Sequence, residues 1–212
     1  MALDTTDVHL ITDEAELREI IGEPTEVVLS KITGRLNELT RQFIERSPFM
    51  CIATVDPDGG LDVSPRGDPA GFVRILDERT LLIPDRPGNR IADTLRNLLA
   101  DQRIALLFLI PGVGDTFRVN GHAVITDDAE LLAPSAVGGR PPKLGLLVTI
   151  EQAYTQCPKA LIRSDLWNSE QHIERSELPS SGAIMRSLTG DFDADAYDRD
   201  RAERYARGEG LY

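Results

Sequence analysis

Two arginines and an asparagine stand close together in "LIPDRPGNRIADTLRNLL", residues 82–99: Arg86, Asn89 and Arg90. Forked guanidinium groups beside a helix start suit one task in particular, holding the oxygens of a phosphate. An apolar run ends at Pro84, a charged loop containing Pro87 and Gly88 follows, and a helix is expected over about 89–99. Asn89 has the chemistry of an N-cap. The first amides of such a helix lack internal partners and carry the positive end of the dipole, which makes an anion site. Arg90 in the first turn opposes that dipole unless an anion sits there too. The plain alternative is a capped helix with solvent-facing arginines, and spacing alone favours it. Ile91, Leu95, Leu98 and Leu99 share one face and are expected to pack.

Three further stretches carry polar groups at suggestive spacing. In "DVSPRGDPAGF" (62–72), Arg66 and Asp68 flank Gly67 at the end of a strand, where an arginine can face a ligand or pair with Asp68 on the surface. In "TFRVNGHAV" (116–124), alternation puts Phe117, Val119, Gly121 and Ala123 on one face and Arg118, Asn120 and His122 on the other. That second row faces water or a polar ligand. In "QCPKALIRSDLW" (156–167), Pro158 suits the first position of a short helix. Lys159 and Arg163 then share a face, as a solvated basic patch or a binding one, and Trp167 follows. His9, His122 and His172 have no metal-ligand spacing, no nucleophile elbow or Cys–His pairing stands out, and no catalytic side chain is assigned.

The elements that would position these groups are mostly short strands. Helices are expected over 12–21, opened by Thr12 or Asp13, and over 35–46, with Leu36, Leu39, Phe43 and Ile44 as a packing stripe. Strands are expected at 48–56, 61–67, 71–76, 80–84, 103–110, 116–126 and 144–157, with a "PDGG" hairpin turn after the first and a loop over 133–142. "RIALLFLI" (103–110) is apolar at every position after Arg103, so both its faces are expected to be buried. Many short strands with one inserted helix indicate a small β-barrel rather than a doubly wound sheet. Residues 168–212 are polar and read as a surface helix or a tail.

Composition narrows the classes. The 212 residues carry a net charge of −12, which argues against binding a nucleic-acid polyanion. The charge is uneven: residues 60–118 hold eight Arg against eight acidic residues, while only three Lys occur anywhere. No apolar run approaches a membrane span, the acidic N-terminus does not read as a secretory signal, and Cys51 and Cys157 form no CxxC pair. A cytoplasmic protein with reduced thiols is expected.

Taken in order, "SPFMCIATVDPDGGLDVSPRGDPAGFV", "IPDRPGNRIADTLRNLL", "LFLIPGVGDTFRVNGHAVIT" and "CPKALIRSDLW" resemble the FMN-binding split barrels related to pyridoxamine 5′-phosphate oxidase. The match is nearest to the bacterial branch of FMN-dependent enzymes of that class, and it spans about residues 25–190. The resemblance implies an α+β fold built on a six-stranded split barrel (48–167), an N-terminal helical segment packed on it (1–47) and a C-terminal extension (168–212). It implies a homodimer with FMN at the interface and an oxidoreductase acting on a small molecule. Residue by residue, it implicates Arg66, Gly67 and Asp68 at one strand end. The backbone of Ile83, Pro84 and Asp85 would meet the flavin ring, and Asn89 and Arg90 would take the phosphate. Arg118 is a further cofactor contact, and Lys159, Arg163 and Trp167 would reach in from the partner subunit. The oxidase proper closes with a C-terminal block that grips its substrate. This chain reads "YARGEGLY" there, so pyridoxine or pyridoxamine phosphate is not the expected substrate. Relatives of this fold bind the deazaflavin F420 or haem, and His122 is the only histidine within the barrel blocks. Those ligands, and a non-catalytic flavin carrier or sensor, stay open as alternatives.

Overall fold

The computed structural model describes residues 8–212. The chain divides between Ile32 and Thr33 into two compact units. The first holds two helices, α1 (Glu14–Ile21) and α2 (Glu26–Ser30). Asp13 caps α1 by accepting from the Glu16 amide, and Gly22 ends it with φ 77°, as the Asp and Gly positions predict.

The second unit is built on an antiparallel sheet of seven strands: β1 (Phe49–Val55), β2 (Leu61–Gly67), β3 (Arg74–Ile75), β4 (Thr80–Pro84), β5 (Arg103–Leu109), β6 (Thr116–Thr126) and β7 (Gly145–Gln156). They run in the order β2-β1-β5-β6-β7-β4-β3. The fold class is α+β, as expected. Six strands are substantial, and the seventh, β3, is two residues long. The expected strand over 71–76 shrinks to these two, because Gly71 turns the chain at φ 85° and only Arg74 and Ile75 pair with β4. No strand pairing links β2 to β3 or β4, so the sheet does not close on itself.

Alternation along the strands makes an inner and an outer face. Met50, Ile52, Ile104, Leu106, Phe108, Phe117 and Val119 are buried on the inner face. α3 (Glu38–Arg46) lays Phe43 on Phe117, ring centroids 5.6 Å apart, and buries Ile44. This helix starts at a capping box between Asn37 and Thr40, three residues later than expected, which leaves Leu39 exposed. α4 (Asp93–Ala100) packs beneath β1 and β6, with Leu98 buried and the buried Asn97 amide donating to Thr54 Oγ1 at 3.0 Å. The expectation that β5 is buried on both faces does not hold within one chain. Ile104, Leu106 and Phe108 are core, whereas Ala105, Leu107 and Leu109 on the outer face are only half-buried.

On β6 the expected split is present. Phe117, Val119, Gly121 and Ala123 are buried, while Arg118 and Asn120 are half-buried and His122 exposed. The register with β7 slips between Asn120 and Gly121, a β-bulge. A Cβ on Gly121 would lie 1.9 Å from the Thr149 carbonyl oxygen, so only glycine fits this crossing. The chain between β6 and β7 is not all loop: α5 (Ala129–Leu132) and a 3-10 turn over Ala133–Ser135 occupy part of it. After β7 come α6 (Lys159–Ser164), α7 (Ser181–Thr189) and α8 (Ala194–Ala206). α7 and α8 pack closely at Gly182, whose amide donates to Asp198 Oδ1 at 2.9 Å. The polar C-terminal segment is therefore a helix pair. Its charged composition hides the small residues, Gly182 and Ala194, through which it packs. No helix among the described residues is long and apolar enough to cross a membrane.

Candidate functional site

The C-terminal ends of β2 and β4 meet through side chains. Asp68, just past β2, accepts from Arg86 Nε, just past β4, at 2.6 Å. The Asp68 side chain is 2% exposed and that of Arg86 15%. Arg86 Nη2 also donates to the Ser135 carbonyl at 2.9 Å, and its guanidinium lies 5.4 Å from the Tyr212 ring centroid. Two residues before Asp68, Arg66 donates to Ser64 Oγ and the Pro65 carbonyl through Nη1, both at 2.9 Å, and to Thr94 Oγ1 of α4 through Nη2 at 3.0 Å. Arg66 and Arg86 thus clamp the seam between β2 and the β4–α4 connection.

Ile83 and Pro84 are buried at the end of β4, and the Asp85 amide donates to the Leu144 carbonyl at 2.9 Å. Burial raises the Asp85 carboxyl above its ordinary value, and the positive charge of Arg66 opposes that rise. At Tyr212 the phenol is raised, first by its hydrogen bonding to Asp68 and then by desolvation and the carboxylate's charge.

The helix mouth differs from expectation. α4 begins at Asp93, four residues after Asn89, and its N-cap is Ala92 with left-handed backbone (φ 60°) and no side-chain cap. Arg90 is left-handed as well, at φ 65°. Two left-handed residues so close together block a helix before position 93. Asn89 instead closes a tight turn, its Oδ1 accepting from the Ile91 amide at 3.0 Å. Ile91 is 55% and Leu99 79% exposed, so the packing stripe reduces to Leu95 and Leu98, joined by the buried Thr94 and Asn97. Arg90 is exposed and makes no ion pair among the described residues.

The other expected residues lie elsewhere on the barrel. Arg118 is on the outer face of β6, its guanidinium 5.3 Å from the Tyr154 ring centroid. With Cys51, Ala53, Val63, Ala105 and Leu107 it lines a shallow depression of about 280 Å³. Lys159 and Arg163 are exposed on α6, which starts one residue after Pro158. Trp167 Nε1 donates to the Val113 carbonyl at 2.9 Å, on the chain's own β5–β6 turn. His122 Nδ1 lies 3.0 Å from Glu151 Oε1 on the outer face. The structure thus brings together Arg66, Gly67, Asp68 and Asp85, with the Asn89–Arg90 turn leading into α4, and leaves Arg118, Lys159, Arg163 and Trp167 outside that cluster. Sequence reasoning missed Thr94 and Ser135. Thr94 reads as an ordinary helix residue, and Ser135 is brought in from a loop 49 positions beyond Arg86.

Residues 36–157 match the family model described as pyridoxamine 5′-phosphate oxidase. The chain belongs to this family. No curated protein matches the sequence. Among solved structures, HupZ from Group A Streptococcus is 19% identical with a TM-score of 0.47, covering 57% of this chain and 94% of that one. A pyridoxamine 5′-phosphate oxidase homologue from Lactobacillus delbrueckii is 20% identical with a TM-score of 0.45, covering 57% and 95%. An F420 reductase is 18% identical with a TM-score of 0.43, covering 57% and 98%. The family membership and the open, coiled sheet agree: this is the family's split barrel, with the seam as its split.

Proposed function

We propose that the protein is an FMN-dependent oxidoreductase acting on a small molecule, working as a homodimer in the cytoplasm, with FMN held along the seam. The observation that carries this reading is the convergence of uncommitted donors at the mouth of α4. Its first-turn amides have no capping side chain. The Thr94 hydroxyl accepts from Arg66 and keeps its own proton to give, and the Arg90 guanidinium stands free of any carboxylate among the described residues. That donor set fits a phosphate dianion. Beside it, the Ile83–Asp85 backbone offers an edge for the flavin ring.

Bound FMN would supply the electron transfer, and the chain's residues position it. Arg66 is pre-set by Ser64, Pro65 and Thr94, so little side-chain freedom is lost when an anion arrives. The left-handed Arg90 and Ala92 fix the direction in which the loop amides point. The Asp85 carboxyl, raised by burial, sits against the same arginine at the edge of the seam. The half-buried apolar row Cys51, Ala53, Ala105 and Leu107 on the outer face suits burial against a second copy.

The visible spectrum of the purified protein tests the cofactor: two oxidised-flavin bands are expected. A single band at shorter wavelength would assign F420, and a Soret band haem, with either overturning the proposal. Bleaching by NAD(P)H and recovery in air separate an enzyme from a carrier. Arg90→Ala is expected to weaken FMN binding at least about tenfold with unchanged circular dichroism, since one charge-assisted contact is worth roughly 1.5–3 kcal/mol. Sedimentation tests the dimer, and a monomer that retains FMN would refute an interface site.

A further inference from the structure

On the far side of the Asp68–Arg86 pair lies a cleft of about 160 Å³, smaller than a site for a flavin ring. Its lining includes Asp68, Arg74, Arg86 and Ser135. Two of these present buried polar atoms with no partner among the described residues. Asp68 uses Oδ2 for Arg86 and leaves Oδ1 unbonded, and the Ser135 hydroxyl is buried and unbonded. Native proteins rarely leave such groups unpaired, so two of them on one cleft mark a place where something polar sits. The arginines are partly committed. Arg74 spends Nη1 on the Leu131 carbonyl, and Arg86 spends Nε and Nη2 as described, leaving Arg74 Nε and Nη2 and Arg86 Nη1 without partners among the described residues.

The charges decide the class of occupant. Two guanidinium groups against one carboxylate leave a single positive charge, which one carboxylate balances. Asp68 Oδ1 accepts only, so the same molecule must bring a neutral donor, and a hydroxyl serves because the Ser135 hydroxyl can donate to its lone pair. We propose that this cleft binds a small monocarboxylate carrying an adjacent hydroxyl group, with the carboxylate on Arg74 and Arg86 and the hydroxyl on Asp68 and Ser135. The site needs no flavin, so it stands or falls separately from the cofactor assignment.

The test is an NMR titration of the isotope-labelled protein with lactate and, separately, with acetate, which lacks the donor. Lactate is expected to bind saturably and about tenfold more tightly than acetate, shifting the amides of residues 134–136. Ser135→Ala removes only an unpaired hydroxyl, so the fold stands; lactate affinity is expected to fall about fivefold while acetate affinity is unchanged. Arg74→Gln is expected to weaken both. Equal affinities for the two acids, no saturable binding of either, or a Ser135→Ala variant that binds lactate as before would overturn the proposal. Inorganic phosphate or FMN displacing lactate from these residues would also overturn it, by showing that the cleft belongs to the cofactor's phosphate.

Discussion

Removing Arg86 is the sharpest test of how the seam is held. Arg86→Met deletes the cationic partner of the Asp68 carboxylate, whose side chain is 2% exposed and has one oxygen unpartnered among the described residues. It also frees the Ser135 carbonyl. Breaking a buried pair by taking one member leaves an uncompensated charge, at a cost of about 3–5 kcal/mol. With an m-value of roughly 2–3 kcal/mol per molar urea, the unfolding midpoint at pH 7 falls by about 1–2.5 M. The companion variant Arg86→Met/Asp68→Asn removes the stranded charge and is expected to recover all but about 1–2 kcal/mol. Urea denaturation followed by circular dichroism reads both. A loss below about 1 kcal/mol for Arg86→Met, the value of a solvent-exposed pair, would refute the view that this contact holds the seam together. So would a double variant no more stable than the single one.

Gly121→Ala forces a Cβ into the Thr149 carbonyl and is expected to cost about 3 kcal/mol or more, read as a lower melting temperature; an unchanged melting temperature would mean the bulge relaxes freely. Burial raises the Asp85 carboxyl above 3.8, so the stability it contributes is complete below that value and declines as pH rises through the raised one; Asp85→Asn is therefore expected to gain on the parent between pH 3 and pH 7 in paired thermal melts, and a constant difference would contradict the shift. Tyr212 is raised above 10.0, so its docked phenol persists below pH 10 and loosens as pH climbs through the raised value; in an alkaline ultraviolet titration Tyr212→Phe is expected to delete a phenol that ionises above 10.0.

The strands were legible where punctuation and alternation coincide. β2, β4 and β6 have the bounds that Gly, Pro and period-two spacing predict. The start of α4 was not legible, because the expected cap, Asn89, precedes two non-glycine residues in left-handed backbone, and local propensity gives no sign of that conformation. The pairing of Asp68 with Arg86 was equally hidden. The plain expectation for Asp68 is its near neighbour Arg66, yet the fold turns Arg66 toward Thr94 and gives Asp68 a partner 18 residues away. Residues named from family resemblance divide in the same way. Those on the β2 and β4 ends gather at the seam, whereas Arg118 and the α6 group stand apart, and a sequence pattern does not carry that distance.

An unclosed sheet has two strand edges that could recruit a foreign strand, and this one is poorly suited to do so at either. β3 offers only Arg74 and Ile75, too short to template an extended partner. β2 is longer, but Pro65 stands in its middle with no amide to donate, and Asp62 and Arg66 place opposite charges on either side. The barrel can therefore keep its split open to a ligand without offering the edge that would let copies polymerise through it.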